Sequence, residues 1–286
     1  MKYLKLIKFK HFIKNFIIFI PLILSYNYTG NFYIDKKIFL SFISSFVFFC
    51  FISQFVYLFN DYVDKDKDVG VKKNLYNEFK GKKFSFLIFA TICLFLPYLV
   101  ASRNQLYFDV MKLITIYLVL NIFYTIFFKN YFYLGLTILS SFFVIRLYMG
   151  ISILDLDVVD FFLQIMIVFL AGIYIGAGKR FKYKKIKNTI FKENEKTIEN
   201  FLKILFLITN IFMLYFLFTN QNLTSFFFTD GQIIFKRILL SLIFVSTISI
   251  FHFKLKSQTE IIDFIDVILD KKLFTLTLIF IGIYIL

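Results

Sequence analysis

Long apolar segments alternate with short polar segments along the whole chain. A helix that spans a bilayer needs about 20 predominantly apolar residues, within a range of about 17–25. Nine segments are candidates for such helices: 12–26, 38–59, 84–101, 106–128, 130–152, 161–178, 201–219, 235–253 and 273–286. The first and last are short, and the last is expected to lie partly in the membrane interface. The pattern predicts an all-α polytopic membrane protein, with about nine transmembrane helices in a single domain over residues 1–286.

Composition and charge support this prediction. Hydrophobic residues make up 59% of the chain, whereas soluble domains have about 45–50% apolar residues. The net charge is +15, and it is distributed unevenly. With the N-terminus in the cytoplasm, the inner segments carry 26 Lys and Arg residues and the outer segments carry 6. This asymmetry follows the positive-inside rule, which explains much of the positive charge. The expected partner is a lipid bilayer, and no nucleic acid is expected.

The dense polar segments 60–83, 178–203 and 254–272 then all face the cytoplasm. The first of them opens with a concentration of carboxylates, FNDYVDKDKD at 59–68. If the preceding helix continues through this stretch, Asn60, Asp64 and Asp68 share one face, and Asp61 lies beside Asp64. Like charges at this spacing repel each other, so we expect nearby lysines or, better, a divalent cation to offset them.

Mg²⁺ suits such a group of ligands because it binds one or two carboxylates and shares its coordination shell with substrate phosphates. The sequence therefore predicts a Mg²⁺ site whose ligands are Asn60, Asp61, Asp64 and Asp68. The alternative interpretation is a solvated acidic loop that flanks a transmembrane helix.

The acidic motif and several other segments resemble the UbiA superfamily of intramembrane prenyltransferases. NDYVDKDKD at 60–68 matches the NDxxDxxxD motif that this superfamily has at the cytoplasmic end of its second helix. The segments similar to its decaprenyl-phosphate phosphoribosyltransferase family are KFKHFIKNFIIFIPL at 8–22, YTIFFK at 124–129, SSFFVIRLYMG at 140–150, AGKRF at 177–181 and DVILDKKL at 266–273.

This resemblance implies a nine-helix enzyme in the inner (plasma) membrane with its active site facing the cytoplasm. The implied reaction is the Mg²⁺-dependent transfer of 5-phosphoribose from phosphoribosyl pyrophosphate to a polyprenyl phosphate, an isoprenoid lipid, with release of pyrophosphate. Asp61 and Asp64 are the implied catalytic residues. The implied substrate-binding residues are Lys10, Lys14, Asn15, Lys72, Lys73, Tyr124, Lys129, Arg146, Lys179, Arg180 and Asp270.

The sequence departs from the phosphoribosyltransferase pattern at three places, which leaves the donor open. VKKNLYNEFKGK at 71–82 keeps two lysines where the family has HPxKRxRP, Gly135 replaces an Asp, and His252-Phe253 replaces an Arg-Tyr pair. The alternative reaction is transfer of a prenyl group from its diphosphate to an aromatic or other acceptor. Members with that activity carry a second Asp-rich motif after the sixth helix, but 178–203 contains no Asp. A transporter ranks last, since the apolar segments have few polar groups.

Several of the predicted site residues also have a simpler interpretation. A charge inside a membrane helix costs at least about 2.5–3.5 kcal/mol and usually faces a cavity or a partner, but Arg146 could instead extend to the outer interface. Lys129 could only mark the topology of a short inner turn. Lys179 and Arg180 could attract lipid headgroups, and the basic residues of the first segment could serve orientation. His252 is interpreted as a polar residue at a helix end.

Overall fold

The computed structural model describes residues 12–29, 35–65, 83–101, 108–187, 195–219, 230–257 and 270–285, and within these ranges it is helical without any strand. The α-helices are α1 (Ile20–Thr29), α2 (Lys36–Val63), α3 (Lys83–Ala101), α4 (Phe108–Phe123), α5 (Phe132–Ile153), α6 (Phe162–Lys187), α7 (Glu195–Thr219), α8 (Asp230–Ser257) and α9 (Lys271–Ile285). A 3-10 helix at Ile13–Phe19 precedes α1, and a π-helix at Tyr124–Phe128 follows α4.

Six stretches in the described ranges are long and apolar enough to cross a membrane. They are Lys36–Val63, Phe84–Ala101, Phe108–Phe128, Phe132–Ile153, Phe162–Phe181 and Glu195–Phe218. The prediction of an all-α protein with membrane-embedded helices is therefore confirmed. Three finer points stay predictions: that there are nine spans, that the N-terminus is cytoplasmic and that the chain forms a single domain.

The first predicted segment, 12–26, does not form one uniform helix. It begins as the 3-10 helix Ile13–Phe19 and continues as α1 from Ile20. Pro21 lies in the first turn of α1, where its missing N–H is tolerated, but it cannot donate the hydrogen bond that would extend an α-helix backwards. The proline thus explains why regular α-helix starts here.

The helices group into two compact units. Unit 1 contains the 3-10 helix, α2, α3, α4, the π-helix and residues 145–153 of α5, and unit 2 contains α1, residues 132–144 of α5 and helices α6 to α9. In unit 1, α2 packs against the 3-10 helix, α3 and α4, and its side chains Phe42, Phe49 and Leu58 are fully buried. In unit 2, α7 packs against α6 and α8, and α8 also packs against α9.

In unit 2, α6 approaches α5 closely along two glycines spaced four residues apart. A Cβ atom at Gly172 would lie 3.0 Å from Oγ of Ser140, 3.1 Å from its Cα and 3.1 Å from Phe143. A Cβ atom at Gly176 would lie 2.9 Å from the Leu136 side chain. Glycines at this spacing let the backbones of membrane helices come close enough for extensive van der Waals contact.

We expect Gly172→Ala to lower the stability of the protein. The added methyl group meets the Ser140 backbone, which cannot move as a flexible side chain would, and overpacking of this kind costs about 1–3 kcal/mol. The measurement is the unfolding temperature of the purified protein in detergent micelles.

Gly282→Ala is the matched control, since a Cβ atom at Gly282 of α9 has no described atom within 4 Å. This variant is expected to gain up to about 1 kcal/mol from the better helix propensity of alanine. Equal unfolding temperatures for the two variants would contradict the tight approach of α6 to α5.

Candidate functional site

The carboxylates predicted to bind a metal lie at the C-terminal end of α2 in unit 1. The helix continues through Asn60 and Asp61 to Val63, and Asp64 is its C-terminal cap, with its N–H donating to the carbonyl of Asn60. The helix thus continues past the apolar segment 38–59 by four residues and ends at Val63, while Asp68 lies outside the described residues. Asp61 is 1% exposed and Asp64 is 4% exposed. Buried carboxylates of this kind require a cationic partner to offset the loss of hydration.

Lys129 supplies that partner for Asp64. Its ammonium group forms an ion pair with Oδ2 of Asp64 and donates a hydrogen bond to Oδ1 of Asn60 at 3.3 Å. Asp64 and Lys129 are 65 positions apart in the sequence, so this contact joins the end of α2 to the turn that follows the π-helix. The resemblance implied a phosphate contact for Lys129, but its role as the counter-ion of Asp64 was not predicted.

The π-helix determines the direction in which Lys129 leaves the backbone. The N–H of Lys129 donates to the carbonyl of Tyr124, five residues earlier, at 2.9 Å. Single π-turns of this kind are rare and occur frequently at functional sites. One additional residue in a turn rotates the following side chain by about 100° relative to a continuous α-helix. Tyr124, a predicted substrate-binding residue, therefore contributes its carbonyl to the orientation of Lys129.

Arg146 lies in a separate buried cluster of unit 1. It is 4% exposed, its Nε donates to Oδ1 of Asn15 at 3.0 Å, and its Nη2 donates to the hydroxyl of Tyr117 at 3.1 Å. The guanidinium also lies 4.8 Å and 4.9 Å from the ring centroids of Phe49 and Tyr117. Asn15 in turn donates to Sγ of Cys50 at 3.3 Å. Arg146 is therefore buried among partners and does not extend to an interface.

Two predicted substrate-binding residues of unit 2 have contacts within their own unit. The buried Arg180 donates through Nη1 to the backbone carbonyls of Tyr131 and Phe132, and its guanidinium lies 5.7 Å from the Phe132 ring centroid. Oδ1 of Asp270 accepts hydrogen bonds of 3.2 Å from two backbone N–H groups in the first turn of α9. These contacts give Arg180 a role in joining helix ends and Asp270 a role as an N-terminal cap. Their substrate contacts stay predictions.

The remaining predicted residues comprise two described lysines and four positions that the structure does not describe. Lys14 of unit 1 and Lys179 of unit 2 are both partly buried. Lys10, Asp68, Lys72 and Lys73 lie outside the described residues. The structure thus brings predicted residues together at two places. Lys129 contacts Asn60 and Asp64 at one, and Arg146 contacts Asn15 at the other.

Some contacts of the structure had no signal in the sequence. The aromatic rings that enclose Arg146 belong to Phe49 and Tyr117, which are two of many aromatic residues in apolar segments, so that no pattern distinguishes them. His252, interpreted as a polar residue at a helix end, has its Nδ1 2.7 Å from the Tyr174 hydroxyl, and the two groups share a hydrogen bond. Burial of Tyr174 in unit 2 accounts for this pairing, because a buried hydroxyl requires a partner.

The ligands at the end of α2 fit a metal ion that is completed by its substrate. Among the described residues, no group of three or more His, Cys, Asp and Glu side chains could hold a metal ion. The available oxygen donors are the carboxylates of Asp61 and Asp64 and the amide of Asn60. Mg²⁺ is usually bound through one or two carboxylates together with substrate phosphates. This chemistry is compatible with Mg²⁺ and a phosphorylated substrate, and it is not that of a complete protein cage.

We expect Tyr117→Phe to lower the free energy of unfolding by about 1.5–3 kcal/mol, the usual contribution of a hydrogen bond to a charged group. The substitution removes only the hydroxyl that accepts from Arg146 and keeps the ring. The measurement is unfolding in detergent with increasing denaturant.

Tyr148→Phe on α5 is the control, because the Tyr148 side chain is exposed and surface substitutions usually change stability by less than about 0.5 kcal/mol. If both variants unfold at the wild-type midpoint, the Arg146–Tyr117 hydrogen bond does not contribute to the stability of unit 1.

No protein-family model matches the chain, and no curated protein matches it.

Proposed function

We propose that the protein is a Mg²⁺-dependent membrane transferase of the UbiA type, which moves 5-phosphoribose from phosphoribosyl pyrophosphate to a polyprenyl phosphate and releases pyrophosphate. The observation that carries this proposal is the group Asn60, Asp64 and Lys129 at the end of the 28-residue apolar helix α2. Buried carboxylates and a lysine ammonium at the end of a membrane helix suit a phosphorylated donor, while the apolar helices suit an isoprenoid lipid.

In this proposal Asp61 and Asp64 would hold the metal with Asn60, and Asp68 would join them as the resemblance implies. Mg²⁺, when bound, would stabilise the negative charge that develops on the departing pyrophosphate. Lys129 would bind a donor phosphate, because its ammonium already lies at these carboxylates. The other predicted substrate-binding residues keep the roles that the resemblance implies.

The proposed reaction breaks one bond and forms one bond at C1 of the ribose. The bond from C1 to the pyrophosphate oxygen breaks, and the pyrophosphate leaves with the electron pair. An anionic oxygen of the lipid phosphate then forms the new bond to C1, so the step needs no external base. The cationic side chains are already in place when negative charge develops on the leaving pyrophosphate oxygens, and they stabilise that charge. The apolar helices exclude water, which would otherwise capture the oxocarbenium-like C1.

The proposed setting is the inner (plasma) membrane, with nine spans, a cytoplasmic N-terminus and the active site facing the cytoplasm. The excess of Lys and Arg in the polar segments assigned to the inside supports this orientation. Phosphoribosyl pyrophosphate is a soluble anion and the acceptor is a lipid, so the reaction requires a site at the membrane boundary.

Transfer of a prenyl group from a prenyl diphosphate is the second candidate function. The departure of residues 71–82 from the basic segment of the phosphoribosyltransferases favours it. The lack of any Asp in 178–203 favours phosphoribosyl transfer. Both candidates use the same carboxylates, so the labelled donor that is consumed distinguishes them.

We expect membranes that contain the protein, Mg²⁺ and a polyprenyl phosphate to transfer label from ribose-labelled phosphoribosyl pyrophosphate into lipid extracted with organic solvent. Asp64→Asn should reduce the rate by about 100-fold or more, because it removes the negative charge that offsets the cations of the site. Chelation of Mg²⁺ should stop the transfer, and added Mg²⁺ should restore it.

Asp109→Asn is the matched control. Asp109 also pairs with a lysine of unit 1, Lys112, at 3.0 Å, but its side chain is 73% exposed. Its variant should keep the wild-type rate. Consumption of labelled prenyl diphosphate in place of phosphoribosyl pyrophosphate would replace the proposed reaction by the second candidate. Full turnover by Asp64→Asn would remove this carboxylate from the mechanism.

A further inference from the structure

The ammonium group of Lys129 occupies a cation position at Asp64. It forms an ion pair with Oδ2 of Asp64 and also donates to the amide oxygen of Asn60. These two oxygens belong to side chains that the proposed function assigns to a metal ion. Lys129 therefore contacts two of the side chains that would hold a divalent cation.

This ion pair differs from the exposed Asp109–Lys112 pair of the same unit. The side chain of Asp64 is 6% exposed and that of Lys129 is 35% exposed, whereas those of Asp109 and Lys112 are 73% and 58% exposed. Exposed pairs contribute little because water screens them and long side chains lose freedom. The carboxylate of Asp64 is shielded from water while Lys129 is only partly buried, and the backbone hydrogen bond from Lys129 to Tyr124 in the π-helix sets the direction of the lysine.

The charges of the group indicate when Lys129 can leave Asp64. Among the described residues of the group, Asp61, Asp64 and Lys129 together carry a formal charge of −1. Adding a divalent cation alone would bring this sum to +1 and would leave the ammonium without its carboxylate in a partly buried place. Adding the cation together with an anionic diphosphate restores a negative sum and gives the ammonium a new acceptor.

We propose that Lys129 is a resident counter-cation of Asp64, meaning that its ammonium neutralises this carboxylate while no metal is bound. When a divalent cation binds, the ammonium moves from Asp64 to the donor phosphate. This inference rests on the proposed function, since it takes the metal ligands and the phosphorylated donor from there. Its consequence is coupling between the two ligands: the cation binds weakly alone and tightly with the diphosphate, and the diphosphate responds equally to the cation, because coupling free energies are reciprocal.

Lys129→Met separates the two halves of this role. The variant lacks the competing ammonium, so Mn²⁺ alone is expected to bind about tenfold more tightly than to the wild-type protein, within the usual range of coupling between ligands. The same variant lacks the new partner of the phosphate, so pyrophosphate in the presence of Mn²⁺ is expected to bind about tenfold more weakly. A folding defect would weaken the binding of both Mn²⁺ and pyrophosphate. Only competition between the ammonium and the cation changes the two affinities in opposite directions.

The experiment uses the purified full chain in detergent and measures binding by equilibrium dialysis, without any turnover. One series determines the Kd of radioactive Mn²⁺ alone, and a second determines the Kd of labelled inorganic pyrophosphate at saturating Mn²⁺. Lys112→Met is the matched control, since it removes an exposed lysine from another Asp–Lys pair of unit 1, and it should match the wild type in both series. Lys129→Arg keeps the charge and should keep the weak binding of Mn²⁺.

The outcomes separate this inference from the proposed function. Equal Mn²⁺ affinities for Lys129→Met and the wild type, with pyrophosphate still bound, would overturn the resident counter-cation and leave the proposed function intact. No binding of Mn²⁺ by any variant, with or without pyrophosphate, would overturn both. Lys129→Gln, which is also neutral but polar, replaces the Met variant if gel filtration shows that the latter aggregates, and the same opposite shifts are required of it.

Discussion

Carboxylates buried at the end of an apolar helix require positive charge close by, and this requirement organises the candidate site. Asp61 and Asp64 are buried where α2 ends, at a place where the apolar part of the chain gives way to polar residues. In low-dielectric surroundings an uncompensated carboxylate is expensive. Lys129 offsets the charge of Asp64, and the π-helix before it gives that lysine its direction. A local irregularity of the backbone thus serves an electrostatic requirement of another helix.

Arg146 illustrates the same constraint with the opposite sign. Its guanidinium is buried in unit 1, where the amide oxygen of Asn15, the hydroxyl of Tyr117 and two aromatic faces contact it. Arginine tolerates such surroundings because its planar group combines directed hydrogen bonds with stacking on rings. The two clusters differ in their contacts: the ammonium of Lys129 is paired with a carboxylate, whereas the guanidinium of Arg146 is held by hydrogen bonds and ring faces.

The sequence predicted the helical elements well where apolar length alone decides them. The segments 38–59 and 161–178 correspond to longer helices, α2 and α6, that continue into polar residues. Such extensions are hard to place from hydrophobicity because a helix can leave the membrane without ending. The change from 3-10 to α-helix at Pro21 and the π-turn at Tyr124 were not predicted. Both depend on the hydrogen-bonding register of the backbone, which the apolar pattern does not encode.

By itself, the sequence determined that this is a helical membrane protein and that its carboxylates are concentrated after one apolar segment, since both follow from the order of residue types along the chain. The spacing also determined that Asn60 and Asp64 share a helix face, because four residues make about one turn. Only the tertiary structure decided that Lys129, 65 residues beyond Asp64, is its partner, and that Phe49 and Tyr117 enclose Arg146. Such contacts depend on which faces of separate helices meet, and in helices as evenly apolar as α4 and α5, no hydrophobic stripe reveals those faces.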